Sequence, residues 1–176
     1  MSYALRLGAF TLSALAAAYI AVSLYAAFQF THTSRTAVAR SSREIAEQVE
    51  DVTFRASDGV ALSGWYFPGA GDRAVVLVHG KDSNRLASDS LVFVAQTLHR
   101  AGYAVLAFDL RGHGTSEGDR FSLGYHERKD VAAAIDLLVA RGHPLGRIAV
   151  FGESMGASTA LQARRLRPGV GAIVAD

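Results

Sequence analysis

The sequence predicts an α/β fold built on a mostly parallel sheet, and three observations carry that prediction. Residues 74–78 (AVVLV), 103–108 (YAVLAF) and 147–151 (RIAVF) are short apolar runs, the pattern of strands covered on both faces. Stretches with helical spacing of apolar residues, 86–100 and 125–141, lie between them. Each run then opens into a polar, glycine-containing loop, at 79–84, 109–117 and 152–156. Alternating strand and helix gives parallel strands joined by crossovers. Ligands gather at the carboxyl ends of such strands, where all three loops fall.

Taken in order, the chain begins with a segment from Leu7 to Ser34 that has no Asp, Glu, Lys or Arg. Its apolar part, 7–30, matches the roughly 20 residues that a bilayer core requires. Tyr19, Tyr25, Phe28 and Phe30 fall in its second half, where an interfacial belt would sit. A cleaved signal peptide is the alternative, with Arg6 as the basic start and Ala21-Val22-Ser23 as the small-residue site. The run stays apolar past that site, so residues 1–30 read as an uncleaved transmembrane anchor in a single-pass membrane protein. Arg35, Arg40 and Arg43 outnumber Arg6, which favours a cytoplasmic C-terminal side. Residues 31–50 are polar and read as a linker, with Ile45 and Val49 marking one or two helical turns.

The globular domain is expected over 51–176. Residues 52–55 alternate apolar and polar as a half-buried strand does, and Asp58-Gly59 is a hairpin turn leading into a second strand, 60–67. Pro68-Gly69 stops it, and the apolar strand 74–78 follows. In 86–100, Leu91, Val94, Ala95 and Leu98 share one helical face, and Gly102 is the stop. In 125–141 the face is Val131, Ala134, Ile135 and Leu138, and the stop is Gly142. After strand 147–151, residues 157–166 are strong helix formers. A last strand begins at 170–175.

Composition narrows the function. Hydrophobic residues make up 50% of the 176 and charged residues only 19%, which is apolar for a soluble chain. A net charge of +2 gives no electrostatic case for nucleic acid. The Arg164, Arg165 and Arg167 cluster instead suits the negative end of a helix dipole. With no cysteine, disulfides, thiolate catalysis and zinc–cysteine sites are excluded, and the redox compartment stays open.

The stretch between the strand 147–151 and the helix 157–166 is Gly152-Glu153-Ser154-Met155-Gly156, a G-x-S-x-G pentapeptide. In strand–turn–helix context this is a nucleophile elbow. The glycines permit a strained turn with strand and helix backbones close together, and the turn lifts the serine hydroxyl above the sheet edge. It also sets the serine beside the positive end of a helix. The competing reading is a glycine-rich loop with an ordinary helix-capping serine. Other signatures fail. Val75 stands where a phosphate-binding P-loop ending at Gly80-Lys81 needs its first glycine, and Asp82 where it needs Ser or Thr. Gly112-His113-Gly114 has Gly118 one place late for a dinucleotide fingerprint, and no H-E-x-x-H occurs.

Three co-linear motifs then carry a resemblance. Val78-His79-Gly80, Asp109-Leu110-Arg111-Gly112-His113-Gly114-Thr115-Ser116 and Gly152-Glu153-Ser154-Met155-Gly156 follow the third, fourth and fifth strands. In order and spacing the chain resembles the α/β-hydrolase fold family, in its monoglyceride-lipase-like and serine-aminopeptidase-like branch, which includes membrane-anchored members. The resemblance covers about 51–176, the N-terminal part of a family domain. It implies Ser154 as nucleophile, with an oxyanion held by the backbone N–H groups of Lys81 and Met155, and His79, Gly80, Gly152 and Gly156 as supporting motif residues. It implies acyl transfer from an ester, thioester or amide, no cofactor and no metal, and a small-molecule or lipid-like acyl substrate.

One departure is large. The family's acid and histidine follow the serine, whereas here only Asp176 is an acid after Ser154, and His32, His79, His99, His113, His126 and His143 all precede it. The expectation is therefore a truncated chain, inactive alone for want of the triad Asp and His. A non-catalytic, membrane-anchored binding or scaffold domain is the alternative function.

Overall fold

The computed structural model describes residues 3–176. These fall into two compact units, Met1–His32 and Thr33–Asp176. The first is a single helix, α1 (Tyr3–Thr31), with no buried residue. By length and composition it is long and apolar enough to cross a membrane. Some of its polar side chains turn back on the helix. The Thr11 and Thr31 hydroxyls donate to the carbonyls of Leu7 and Ala27, at 2.9 and 2.8 Å. Part of the expected anchor, Met1 and Ser2, lies outside the described residues.

The second unit is a six-stranded mixed sheet. Its strands are β1 (Glu50–Arg55), β2 (Ala61–Phe67), β3 (Ala74–Val78), β4 (Ala104–Phe108), β5 (Ile148–Gly152) and β6 (Ala172–Ala175). Their order is β1-β2-β4-β3-β5-β6. β1 and β2 form the expected hairpin, in register from Glu50↔Tyr66 to Arg55↔Ala61, with Gly59 at φ +90° in its turn. β2 meets β4 antiparallel, and the remaining pairings are parallel. The wholly apolar runs now have their reason. Val75 and Leu77 of β3 face one core cluster, with Leu86, Leu91 and Ala95. Val76 and Val78 face the other, with Val131, Ile135, Leu138 and Ala160. Side chains alternate across a strand, so a strand covered on both faces must be apolar at every position.

Three helices cover these faces: α2 (Asp89–Arg100), α3 (Arg128–Ala140) and α4 (Met155–Ala163). α2 and α3 start later than their apolar spacing predicts. For α2 the cause is a cap, since the Ser88 hydroxyl accepts the Leu91 N–H at 3.1 Å. Leu86 is fully buried ahead of it, in the loop. For α3 the cause is the buried Glu127 carboxylate, which gathers the Ser122 and Gly124 N–H groups at 2.9 and 2.7 Å and holds that stretch as a turn. Gly102 and Gly142 end their helices at φ +85° and +95°, as expected of C-terminal stops.

The segment read as a polar linker is, from Thr33 onward, within the same compact unit as the sheet. Its polar groups bond to the loops after β3 and β4. Ile45, beside a 3-10 turn at Ser42–Glu44, is only 8% exposed and joins the α2-side core. Composition alone cannot separate a polar segment bonded to loops from one bonded to water.

Candidate active site at the carboxyl end of the sheet

β5 ends at Gly152 and α4 begins at Met155, so two residues make the turn between them. The turn is tight enough to need its glycines. A Cβ on Gly152 would run into the Gly156 carbonyl, and one on Gly156 into the carbonyls of Val78 and His79. Ser154 itself sits at φ +55°, ψ −117°, a conformation costing on the order of 1–3 kcal/mol in a non-glycine residue. Backbone bonds hold it there. The Ser154 N–H donates to Asp176 (2.9 Å), and the Glu153 N–H to Val78 (3.0 Å). Ser88 Oγ fixes the Glu153 carboxylate at 2.7 Å.

The geometry decides against a capping serine. Ser154 occupies the N-cap position of α4 but makes no side-chain cap bond. It is exposed, and its hydroxyl has no partner among the described residues. The loop after β3 lies beside it, since a Cβ built on Gly80 would stand 3.4 Å from Ser154 Cβ and 3.8 Å from its Oγ. Lys81 follows Gly80, and Met155 follows Ser154. Neither the Lys81 nor the Met155 N–H has a hydrogen-bond partner among the described residues. The arrangement sets Ser154 against Gly80, with Met155 and Lys81 next to them in the chain and their N–H groups unpaired among the described residues.

The histidines nearby are already committed. His79 is fully buried; its Nε2 accepts the Leu110 N–H at 3.0 Å, so Nδ1 carries the proton and donates to the Gly80 carbonyl at 2.7 Å. His113, equally buried, accepts the Asp82 N–H on Nε2 at 3.2 Å and donates from Nδ1 to the Arg111 carbonyl at 2.9 Å. The two rings meet edge to face at 5.0 Å. Burial, then the neighbouring His113, pushes His79 down to about 4, and burial likewise lowers His113. Both rings therefore brace the loops as neutral donors and acceptors, and neither has a nitrogen left for the Ser154 proton. His143 bonds Tyr66 and the Asp72 carbonyl, ahead of β3. His99 lies on α2 against Phe67, and His126 is exposed beside Tyr125.

The loop after β4 is held by charges that the sequence did not reveal. The buried Asp109 carboxylate accepts from the Arg85 N–H (2.8 Å), the Arg85 guanidinium (2.6 Å) and the Thr115 N–H (2.8 Å). Burial raises this carboxyl, but the Arg85 hydrogen bonds and charge outweigh it and hold it below the usual range. Gly114, at φ +45°, leaves room for that carboxylate, which a Cβ would overlap. Arg111 forks between Asp130 and Asp58, with contacts of 2.6 and 2.9 Å. The Asp109 and Arg111 motif positions were legible, but Arg85 and Asp130 carried no local signal, and Asp58 was legible only as a turn residue.

Known proteins place this architecture. A family model described as serine aminopeptidase, S33, matches residues 69–175. A Pyrococcus furiosus esterase superposes with a TM-score of 0.77 at 32% identity, over 82% of this chain and 57% of that one. An α/β hydrolase from Penicillium gives a TM-score of 0.63 at 25% identity, over 72% of this chain and 44% of that one. An uncharacterised Mycobacterium tuberculosis protein is 37% identical over 122 residues, covering 67% of this chain and 42% of its own length. A polyketide transferase of Aspergillus fumigatus is 33% identical over 135 residues, 71% of this chain and 44% of its own length. The chain thus spans less than half the length of these curated relatives. With the matched residues running from just before β3 through β6, across all three motif loops, the chain belongs to the serine aminopeptidase S33 family of hydrolases with the α/β fold.

Proposed function

We propose that this protein is a serine hydrolase in which Ser154 attacks the acyl carbon of an ester, thioester or amide. The carrying observation is the uncapped Ser154 hydroxyl at φ +55°, against Gly80, with the N–H groups of Lys81 and Met155, the residues after Gly80 and Ser154, unpaired among the described residues. In this reading the Oγ–carbon bond forms as the carbonyl π pair moves to oxygen, and the two N–H groups receive the resulting oxyanion. They are fixed before the charge develops, and one such donor typically contributes about 3–4 kcal/mol. Collapse expels the leaving group, and water then releases the acyl group from Ser154.

No histidine among the described residues stands as the base, and the Asp176 backbone is taken up by Gly152 and Ser154. The reading therefore assigns the acid and the base to sequence following Asp176 in a longer reading frame. Loss of the base costs on the order of 10⁶ in turnover, so residues 1–176 alone are expected to be inactive. We place the protein in a membrane through α1 and take its substrates to be lipid-like acyl compounds.

Fluorophosphonate labelling tests this. A reading frame extended past Asp176 should label, Ser154→Ala should abolish the label, and residues 1–176 should label at background. An extended protein that stays unlabelled would favour a non-catalytic scaffold. Hydrolysis strongly favouring peptides, or showing no acyl-chain preference, would remove the lipid-like substrate class.

A further inference from the structure

Residues 33–37 bond to both the loop after β3 and the loop after β4. On the β3 side, Asp82 receives two of these bonds. Its carboxylate accepts the Ser34 N–H at 3.1 Å, its carbonyl accepts the Thr36 hydroxyl at 2.8 Å, and its carboxylate also pairs with Lys81. Two residues on, Asn84 Nδ2 donates to the Ala37 carbonyl at 3.0 Å. On the β4 side, the Arg35 guanidinium donates to the carbonyls of Gly114 and Ser116, at 3.0 and 2.8 Å, and to that of Gly118. The Thr33 N–H donates to the Asp119 carbonyl at 3.3 Å.

These bonds fall on a strained residue. Asp82 is a non-glycine residue at φ +52°, a conformation that persists only where surroundings over-determine it. It is held from four directions: by Ser34, by Thr36, by Lys81 and, through its own N–H, by His113 Nε2 at 3.2 Å. A cavity of about 150 Å³ lies between this segment and the loop, bounded by Thr36, Ala37, Arg40, Asn84 and Leu86.

We propose that residues 33–37 are a positioning strap that fixes the 80–82 turn, and with it the Lys81 N–H, in register with Ser154, with Thr36 and Arg35 as the positioning residues. This rests on the reading of Lys81 as an oxyanion donor. The strap follows α1 in sequence with only His32 between them, so the chain entering the domain from α1 is the same chain that sets the donor loop.

The test reads the turn directly. In the 1–176 chain, hydrogen exchange at the Asp82 amide should quicken about tenfold in Thr36→Val and in Arg35→Ala, and Thr36→Ser, which keeps the hydroxyl, should restore it. The Val76 and Leu106 amides in the core strands should not change. Unchanged Asp82 exchange in both variants, or an equal rise at Val76 and Leu106, would overturn the proposal. In the extended reading frame, Thr36→Val should slow fluorophosphonate labelling of Ser154 about tenfold with Thr36→Ser restoring it; an unchanged rate would also overturn it. If the unmutated extended protein does not label, the nucleophile reading fails instead, and the amide measurement still decides whether the strap holds the turn.

Discussion

At Gly156 the absence of a side chain is what lets α4 start against β3. A Cβ there would occupy the space of the Val78 and His79 carbonyls, and backbone cannot yield as a flexible side chain can. Gly156→Ala should therefore lower stability by about 1–3 kcal/mol or more, measured as a fall in urea midpoint, and should displace Ser154. His79 supplies a second residue-scale prediction. Its folded pKa is pushed from 6.5 to about 4, so on acidification the unfolded chain takes up the proton first. The stability from neutral His79 is complete above pH 6.5 and lost as pH falls towards 4, on the order of 3 kcal/mol. His113 acts in the same direction. Asp130, raised by burial, acts oppositely, but it is common to both chains in a comparison with His79→Gln. That variant should show a flatter dependence of denaturation midpoint between pH 6.5 and 4.

At the scale of elements, Ser88 joins a helix to the elbow. Its hydroxyl accepts the Leu91 N–H to start α2 and donates to Glu153, the residue before Ser154. Ser88→Ala should cost about 1 kcal/mol through the lost cap, seen in the urea midpoint, and should release the Glu153 carboxylate. Helix starts were the least legible part of the sequence. The periodicity of Leu91, Val94, Ala95 and Leu98 marks a face but not an end. The starts were set by Ser88, which caps α2 at Leu91, and by Glu127, whose partners Ser122 and Gly124 lie in a turn that periodicity does not describe. Strands were read more closely, because burial on both faces leaves an unbroken apolar run.

Across the whole molecule, Arg111 ties three parts of the domain together. It leaves the loop after β4, grips Asp130 on α3 and reaches Asp58 in the β1–β2 turn. Asp130 is fully buried, so Arg111→Met would strand a carboxylate without its counter-charge. The expected loss is about 3–5 kcal/mol, measured by urea unfolding at pH 7, with β1 and β2 loosening most in hydrogen exchange. Asp109 and Arg85 do the same work nearer the site, fixing the loop after β4 against the loop after β3.

The sequence by itself determined the α/β class, the strands, the Asp58-Gly59 hairpin, the presence of a long apolar N-terminal segment and the three motif loops. Each of these rests on short-range periodicity or on a contiguous motif. Only the tertiary structure decided that Ser154 is not a capping residue, that His79 and His113 have no free nitrogen, and that residues 33–37 strap the loops. Those outcomes depend on partners far apart in the chain, such as Ser34 with Asp82, 48 residues apart, and Arg85 with Asp109, 24 apart. A hydrogen bond is chosen by which groups the folded sheet brings within reach, and a polar residue read in isolation does not disclose its partner.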